Sequence, residues 1–155
     1  MITLRPALPS DCRLLWEWRN APEVRAKAFD SNPIEWEHHR RWFKQKLSDS
    51  STSIYIATTA DGETAGQIRF DVVESEATVA VIVARAVRGR GIGTDIIRKG
   101  TLQFASKVPG VNIVAEIKPD NEASLRAFKR AGYASFGGDD HIMRLQFVAD
   151  TYPSG

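Results

Sequence analysis

A chain of 155 residues with 21 Lys and Arg against 19 Asp and Glu, a formal charge of +2, suffices for one domain with a real core. It is too evenly charged to suggest a nucleic-acid binder by bulk basicity. A single cysteine, Cys12, excludes an intrachain disulfide and a cysteine-rich zinc site, and three scattered histidines supply no metal constellation. With no apolar run near the ~18 residues of a membrane span and no signal-like start, the expectation is a cytoplasmic protein with no metal, membrane or nucleic-acid partner.

Ile2 to Arg5 reads as a short strand stopped by Pro6. Ser10 or Asp11 then caps a helix whose Leu14, Leu15 and Trp18 share a face, ending before Ala21-Pro22. A second helix is expected to open with Asn32 as cap, Pro33 at its first position and Glu35 completing a capping box, with Trp36, His39, Phe43 and Leu47 along one side. Among these, His39 reads as satisfied packing. Residues 53–59 and 64–73 are strands joined through Asp61-Gly62, and in the second Gly66, Ile68, Phe70 and Val72 alternate with Gln67, Arg69 and Asp71. A tight turn at Glu74-Ser75-Glu76 leads to residues 77–84, apolar on both faces apart from Thr78, as in a central strand.

A glycine-rich turn follows at once, and after it Ile92, Ile96, Ile97, Gly100, Phe104 and Val108 recur at helical spacing. Residues 111–117 form another strand closed by Pro119; Asp120 or Asn121 caps a helix carrying Leu125 and Phe128, and Gly132 ends it. Residues 133–136 and 141–148 make a closing hairpin through Gly137-Gly138-Asp139-Asp140. The organisation is one domain over 1–149 with a frayed tail at 150–155, and no internal repeat.

The turn between the central strand and the helix is a ready anion site. Unpaired N–H groups and the positive end of the helix dipole favour phosphate, and Gly89, Gly91 and Gly93 let the backbone approach it. A P-loop needs Lys followed by Ser or Thr after its last glycine, which Ile92-Gly93-Thr94 lacks. A dinucleotide loop needs Gly-x-Gly-x-x-Gly, and Thr94 stands where its third glycine belongs.

Arg88-Gly89-Arg90-Gly91-Ile92-Gly93 instead resembles the Arg/Gln-x-x-Gly-x-Gly/Ala signature of the GCN5-related N-acetyltransferases, which hold acetyl-CoA pyrophosphate in the amides of such a turn. A second match, from Glu116-Ile117-Lys118-Pro119-Asp120-Asn121-Glu122-Ala123-Ser124 to Phe128 and Gly132-Tyr133, is similar to the family's fifth strand and following helix. The resemblance implies a mixed α/β fold, with a mostly antiparallel central sheet, a splayed central strand pair and flanking helices. It implies acetyl-CoA as co-substrate, no metal, and acetyl transfer to a primary amine by direct attack on the thioester.

By that resemblance Arg88, Gly89, Arg90, Gly91, Ile92, Gly93 and Thr94 hold the cofactor, and backbone groups of Val81 and Val83 bind pantetheine beside the split. Glu116 matches an acidic position used as general base in some relatives. Its place on an apolar strand suggests desolvation; Glu76 is the reserve base. Asn121 and Ser124 match positions touching pantetheine or thiolate, although both suit a helix start on capping grounds alone. Phe128 stands where many relatives carry a proton-donating Tyr; water or Ser124 would then serve the leaving thiolate. Tyr133 reads as packing.

Trp16-Glu17-Trp18-Arg19-Asn20, Pro22-Glu23-Val24-Arg25, Trp36-Glu37-His38-His39 with Trp42-Phe43, and Gly66-Gln67-Ile68-Arg69-Phe70-Asp71 resemble the nucleotide-linked 4-amino-sugar N-acetyltransferases of the pseudaminic acid pathway. A fainter similarity runs to acetyltransferases of ribosomal-protein N-termini. The first resemblance implies a small-molecule acceptor, with Arg19, Arg25 and Arg69 as diphosphate partners and Asn20, His38 and Glu76 on the acceptor side. His38 is placed to pair with Trp42 one turn on. The alternatives are a protein N-terminal or small-amine acetyltransferase, and a non-catalytic acyl-CoA-binding module; a homodimer is compatible with each.

Overall fold

A computed structural model describes residues 1–148; the tail expected at 150–155 and the domain's expected end at residue 149 lie outside the described residues. The chain runs β1 (Ile2–Pro6), a 3-10 turn (Pro9–Asp11), α1 (Cys12–Asn20), α2 (Pro22–Lys27), α3 (Trp36–Ser48), β2 (Thr52–Thr59), β3 (Thr64–Val73) and β4 (Glu76–Val83). A second 3-10 turn (Arg85–Val87) leads to α4 (Ile92–Lys107), β5 (Asn112–Ile117), α5 (Glu122–Arg130), β6 (Tyr133–Gly138) and β7 (Met143–Phe147). The strands form one seven-stranded sheet in the order β1-β2-β3-β4-β5-β7-β6, antiparallel throughout except for β4 against β5. The expected mixed α/β architecture is what is found.

Most elements fall where the patterning puts them, and the departures have local causes. Helix α3 begins at Trp36 rather than at Pro33, because the segment before it is claimed by α1. Asn20 Oδ1 accepts the Ile34 N–H at 2.8 Å, while Asn20 Nδ2 and Trp16 Nε1 donate to the Ile34 carbonyl at 2.9 and 2.8 Å. Those bonds hold residue 34 in place, and Glu35 becomes the cap position. Asp11 does not cap α1 with its side chain but reaches back to the Leu8 N–H and the Arg5 guanidinium. The short α2, built on Pro22 at its first position, has too few apolar residues to show as a periodic pattern. The closing hairpin turns two residues later than expected: Gly137 and Gly138 belong to β6, and Asp139 Oδ1 accepts the His141 and Ile142 N–H groups in the turn.

The sheet separates two packing layers. On one face α4 and α5 cover Ile68, Phe70, Ala77 and Val79, with Phe70 stacked on Phe104 at 4.3 Å between centroids. Tyr133 closes this core, its hydroxyl 2.8 Å from Thr101 Oγ1. On the other face Leu15 of α1 and Phe43 of α3 pack on Ile54 and Ile56 of β2. While α1 and α3 pack over the β2 side of this face, α2 reaches the far ends of β4 and β5, with Glu23 against Arg88 and Lys27 Nζ donating to the Asp120 carbonyl at 3.2 Å.

Two glycines set how closely these layers meet. A Cβ at Gly100 would lie 2.9 Å from two Ile68 side-chain atoms, and one at Gly66 would run into the Ile82 carbonyl oxygen of the neighbouring strand. Backbone cannot yield as a side-chain end does. Gly66→Ala is therefore expected to cost about 1–3 kcal/mol, visible as a fall in Tm of roughly 2–4 °C per kcal/mol. An unchanged Tm would mean that β3 and β4 approach less closely there.

Candidate active site

The site begins where β4 and β5 part. Their parallel pairing runs from Glu76↔Asn112 to Val79↔Ala115 and stops, although β4 continues to Val83 and β5 to Ile117. Continuing the register would set Ala80 against Glu116, so these two residues stand on opposite sides of the mouth of the gap.

Strand alternation decides which backbone groups look into it. The Ala84 N–H donates to the Ala65 carbonyl at 2.7 Å, so Ile82 and Ala80, two and four residues back, also turn toward β3. Val81 and Val83 thus aim their N–H and C=O at the gap, as the resemblance implied, and both side chains are half-buried. Arg88 occupies one of these groups: its Nε donates to the Val83 carbonyl at 3.0 Å while Nη1 pairs with Glu23 at 3.3 Å. In this arrangement the side chain fastens the turn to β4 and α2.

The turn itself has the expected form. Gly89 and Gly91 have φ of 82° and 73°, with Gly91 as the cap residue of α4, and a Cβ on either would meet open space. Among the described residues, the backbone N–H groups of Gly89, Arg90, Gly91, Ile92, Gly93 and Thr94 donate to no protein acceptor; the α4 ladder starts with Asp95 N–H to the Gly91 carbonyl at 3.3 Å. A run of free N–H groups at a helix start beside an exposed Arg90 fits a pyrophosphate. Gly93 lies against β4, where an added Cβ would sit 3.3 Å from Val83 Cγ2.

Several expected site residues prove structural. Phe128 is 2% exposed and packs edge-on against Tyr133 at 5.0 Å, so it belongs to the core rather than the cofactor surface. Asn121 caps α5, its Oδ1 accepting the Ser124 N–H at 3.3 Å, which leaves the Ser124 hydroxyl half-exposed at the helix start. Asn20 spends its amide on Ile34, and Arg25 donates through Nε and Nη1 to the Asn20 and Ser31 carbonyls at 3.0 and 3.2 Å, so both brace the segment before α3. Glu76 sits at the closed end of the strand pair, ~16 Å along β4 from Val81 at ~3.3 Å per residue, and ion-pairs with Arg144 at 3.3 Å. Both facts remove it as reserve base. His38 is exposed, and the imidazole near Trp42 is that of His39, 5.8 Å away.

Glu116 keeps its place but not its expected environment: it is exposed, so the desolvation foreseen for it is missing. It faces Arg144 across the β5–β7 pair. Arg144 was not visible as a site residue in the sequence, because the hairpin that brings it alongside β5 comes 28 residues later and only register places it.

A second cluster lies one strand away on the same face. Arg69 pairs in register with Ala80. Its Nε donates to Asp71 Oδ2 at 2.8 Å, and Lys46 and Thr52 hold the other Asp71 oxygen at 2.9 Å each. These cations keep the Asp71 carboxyl below its ordinary pKa in spite of burial. His39 is fully buried and neutral. Its Nε2 lies 2.9 Å from the Cys12 carbonyl, which only accepts, so Nε2 donates there and Nδ1 accepts from Arg19 at 3.0 Å. Burial, with Arg19 alongside, depresses its pKa.

A profile of the acetyltransferase (GNAT) domain family matches residues 1–134. Spermidine N-acetyltransferase from Vibrio cholerae, solved with CoA and spermine, superposes with a TM-score of 0.82 at 16% identity, over 94% of each chain. An aminoglycoside acetyltransferase solved with coenzyme A and kanamycin gives 0.79 at 19%, over 97% of this chain and 96% of that one. A putative phosphinothricin N-acetyltransferase gives 0.77 at 24%, over 95% and 98%. No curated protein sequence matches the chain. The parted strands and the open turn are thus found on a chain whose profile and backbone agree: it belongs to the GNAT family and is an acetyl-CoA-dependent N-acetyltransferase.

Proposed function

We propose that the protein acetylates the 4-amino group of a nucleotide-linked amino sugar. The transfer chemistry is carried by one observation, the parting of β4 from β5 beyond Val79–Ala115, with free Val81 backbone groups on one side and Glu116 on the other. Acetyl-CoA supplies the acetyl group as a thioester; the N–H groups of Gly89 to Thr94 would hold its pyrophosphate. The acceptor amine must lose a proton as it attacks, and Glu116, exposed at the mouth of the gap, takes it through a water. The acceptor approaches over the sheet face away from α4, which carries Glu116 beside the gap. The resemblance of α1, α3 and β3 to amino-sugar N-acetyltransferases supports the acceptor class.

Two measurements test this reading. A thiol-release assay against a UDP-4-amino-sugar, polyamines, aminoglycosides and peptides with free N-termini should give turnover on the sugar. Preference for a peptide or polyamine would overturn the acceptor assignment. Glu116→Gln should lower kcat by about 10²-fold with acetyl-CoA affinity unchanged. An unaltered kcat and pH profile would remove Glu116 as the base.

A further inference from the structure

Arg19, on the last turn of α1, is a half-buried cation with a second guanidinium beside it. Arg5, Arg40, Arg69, Arg88 and Arg144 each ion-pair with a carboxylate, at 2.8 to 3.3 Å. Arg19 is half-buried and, among the described residues, ion-pairs with none: Nη1 donates to the lone pair of His39 Nδ1, and its Cζ lies 4.1 Å from the centre of the Trp42 ring. The charge nearest to it is another guanidinium. Arg69 stands 5.1 Å from the same ring, with Nε given to Asp71 and, among the described residues, neither terminal amino group given a hydrogen bond to the protein. Burial and Arg69 together pull the Arg19 pKa down to about 10. A desolvated cation ordinarily finds a counter-charge, and two guanidinia on one indole repel each other unless an anion joins them.

Their position says what that anion belongs to. Arg69 is the register partner of Ala80, the first β4 residue past the last β4–β5 pair, and neighbouring strands are ~4.8 Å apart. The pair therefore lies on the sheet face away from α4, the face that carries Glu116, one strand from the gap. We propose that Arg19 and Arg69, with the Trp42 ring between α3 and the sheet, form a preformed oxyanion subsite for the acceptor, so that the enzyme requires an amine bearing a phosphate or carboxylate and discriminates against polycations. This rests on the acetyltransferase reading but not on the sugar: any amine with a suitably placed acidic group meets the requirement. Arg25, held by backbone carbonyls, is no part of it. Trp42 is, since its face sets both guanidinia.

Binding and turnover separate the claims. Inorganic pyrophosphate is titrated calorimetrically into protein saturated with CoA, and into a Gly91→Val variant whose glycine turn is obstructed. Binding should persist in both and weaken at least tenfold in Arg19→Gln and in Arg69→Gln, with thermal melts confirming that each variant is folded. Acetate in place of pyrophosphate distinguishes a carboxylate subsite from a phosphate one. In steady state, Arg19→Gln should raise KM for an anionic amine by about 10–100-fold, leave KM for acetyl-CoA unchanged, and improve kcat/KM for spermidine; Arg19→Lys should recover part of the loss. Pyrophosphate binding that disappears under CoA saturation, or that ignores both arginine substitutions, overturns the subsite. Subsite binding with no acetyl transfer to any amine would leave the subsite standing and overturn the acceptor reading instead.

Discussion

Gly91→Val is expected to abolish measurable CoA binding while the protein stays folded. The residue has φ +73° at the cap of α4, a region costly for a β-branched side chain by roughly 1–3 kcal/mol. To relieve that strain the turn must swing its N–H groups away, and each charge-assisted hydrogen bond from backbone to phosphate is worth about 1.5–3 kcal/mol. Losing two of them weakens binding by roughly a hundredfold or more. The added side chain also occupies space that is open in front of the turn. Calorimetric titration with CoA reads the loss directly. Gly62→Val is the control: that glycine has φ +83° in the β2–β3 turn, also with open space around it, so it suffers similar strain with no phosphate to lose. If both variants bind CoA as the wild type does, the turn before α4 is not the pyrophosphate site.

This turn was legible in the sequence because it is local. Its chemistry is a function of neighbouring backbone conformations, and glycines at alternate positions after a buried strand dictate those conformations directly. The direction of the Val81 and Val83 peptide groups was equally legible, since strand period fixes which of them look away from β3. What the sequence hid is everything set by which strand lies beside which. Glu116 looked desolvated on an apolar strand, but its side chain is exposed, and period alone does not say which positions of a strand its neighbours will cover. Glu76 looked central because β4 is central, yet the strands part at its far end.

The side chains of α1 show the same limit from the other direction. Asn20 and Arg25 had the composition of a polar binding patch, and Asn20 is instead what pins residue 34 and delays the start of α3. Phe128 had the spacing of a family acid and is core, because the aromatic partner that traps it, Tyr133, follows directly after the helix turn. Phe128 has no proton to give, so the leaving thiolate would take its proton from water or from Ser124, whose hydroxyl is half-exposed at the start of α5.

The second large effect expected is on acid stability, through His39. The ring is fully buried, stacked near Phe43 at 6.0 Å, and hydrogen-bonded at both nitrogens in its neutral form. Protonation would put a second N–H against the Arg19 guanidinium. Its folded pKa is therefore held below the ordinary value near 6.5, chiefly by burial. In the unfolded chain the imidazole takes its proton at about pH 6.5, so from there downward the unfolded state binds more protons than the folded one. Stability from this residue is complete above about pH 6.5 and falls as pH drops, with a slope of up to ~1.4 kcal/mol per pH unit, until the folded pKa is reached. Asp11 and Asp71, whose pKa values are lowered by their cationic partners, lose their contribution only in the lower window beginning near pH 4. Melts between pH 7.5 and 5 should show the decline, and His39→Gln, which offers a carbonyl to Arg19 and an amide N–H to Cys12 without titrating, should flatten it. His39→Ala should cost about 3–5 kcal/mol at neutral pH, because it empties a buried site and strands both the Cys12 carbonyl and the Arg19 guanidinium. An identical pH slope in wild type and His39→Gln would place the acid sensitivity elsewhere and would mean that the ring already accommodates its proton in the folded state.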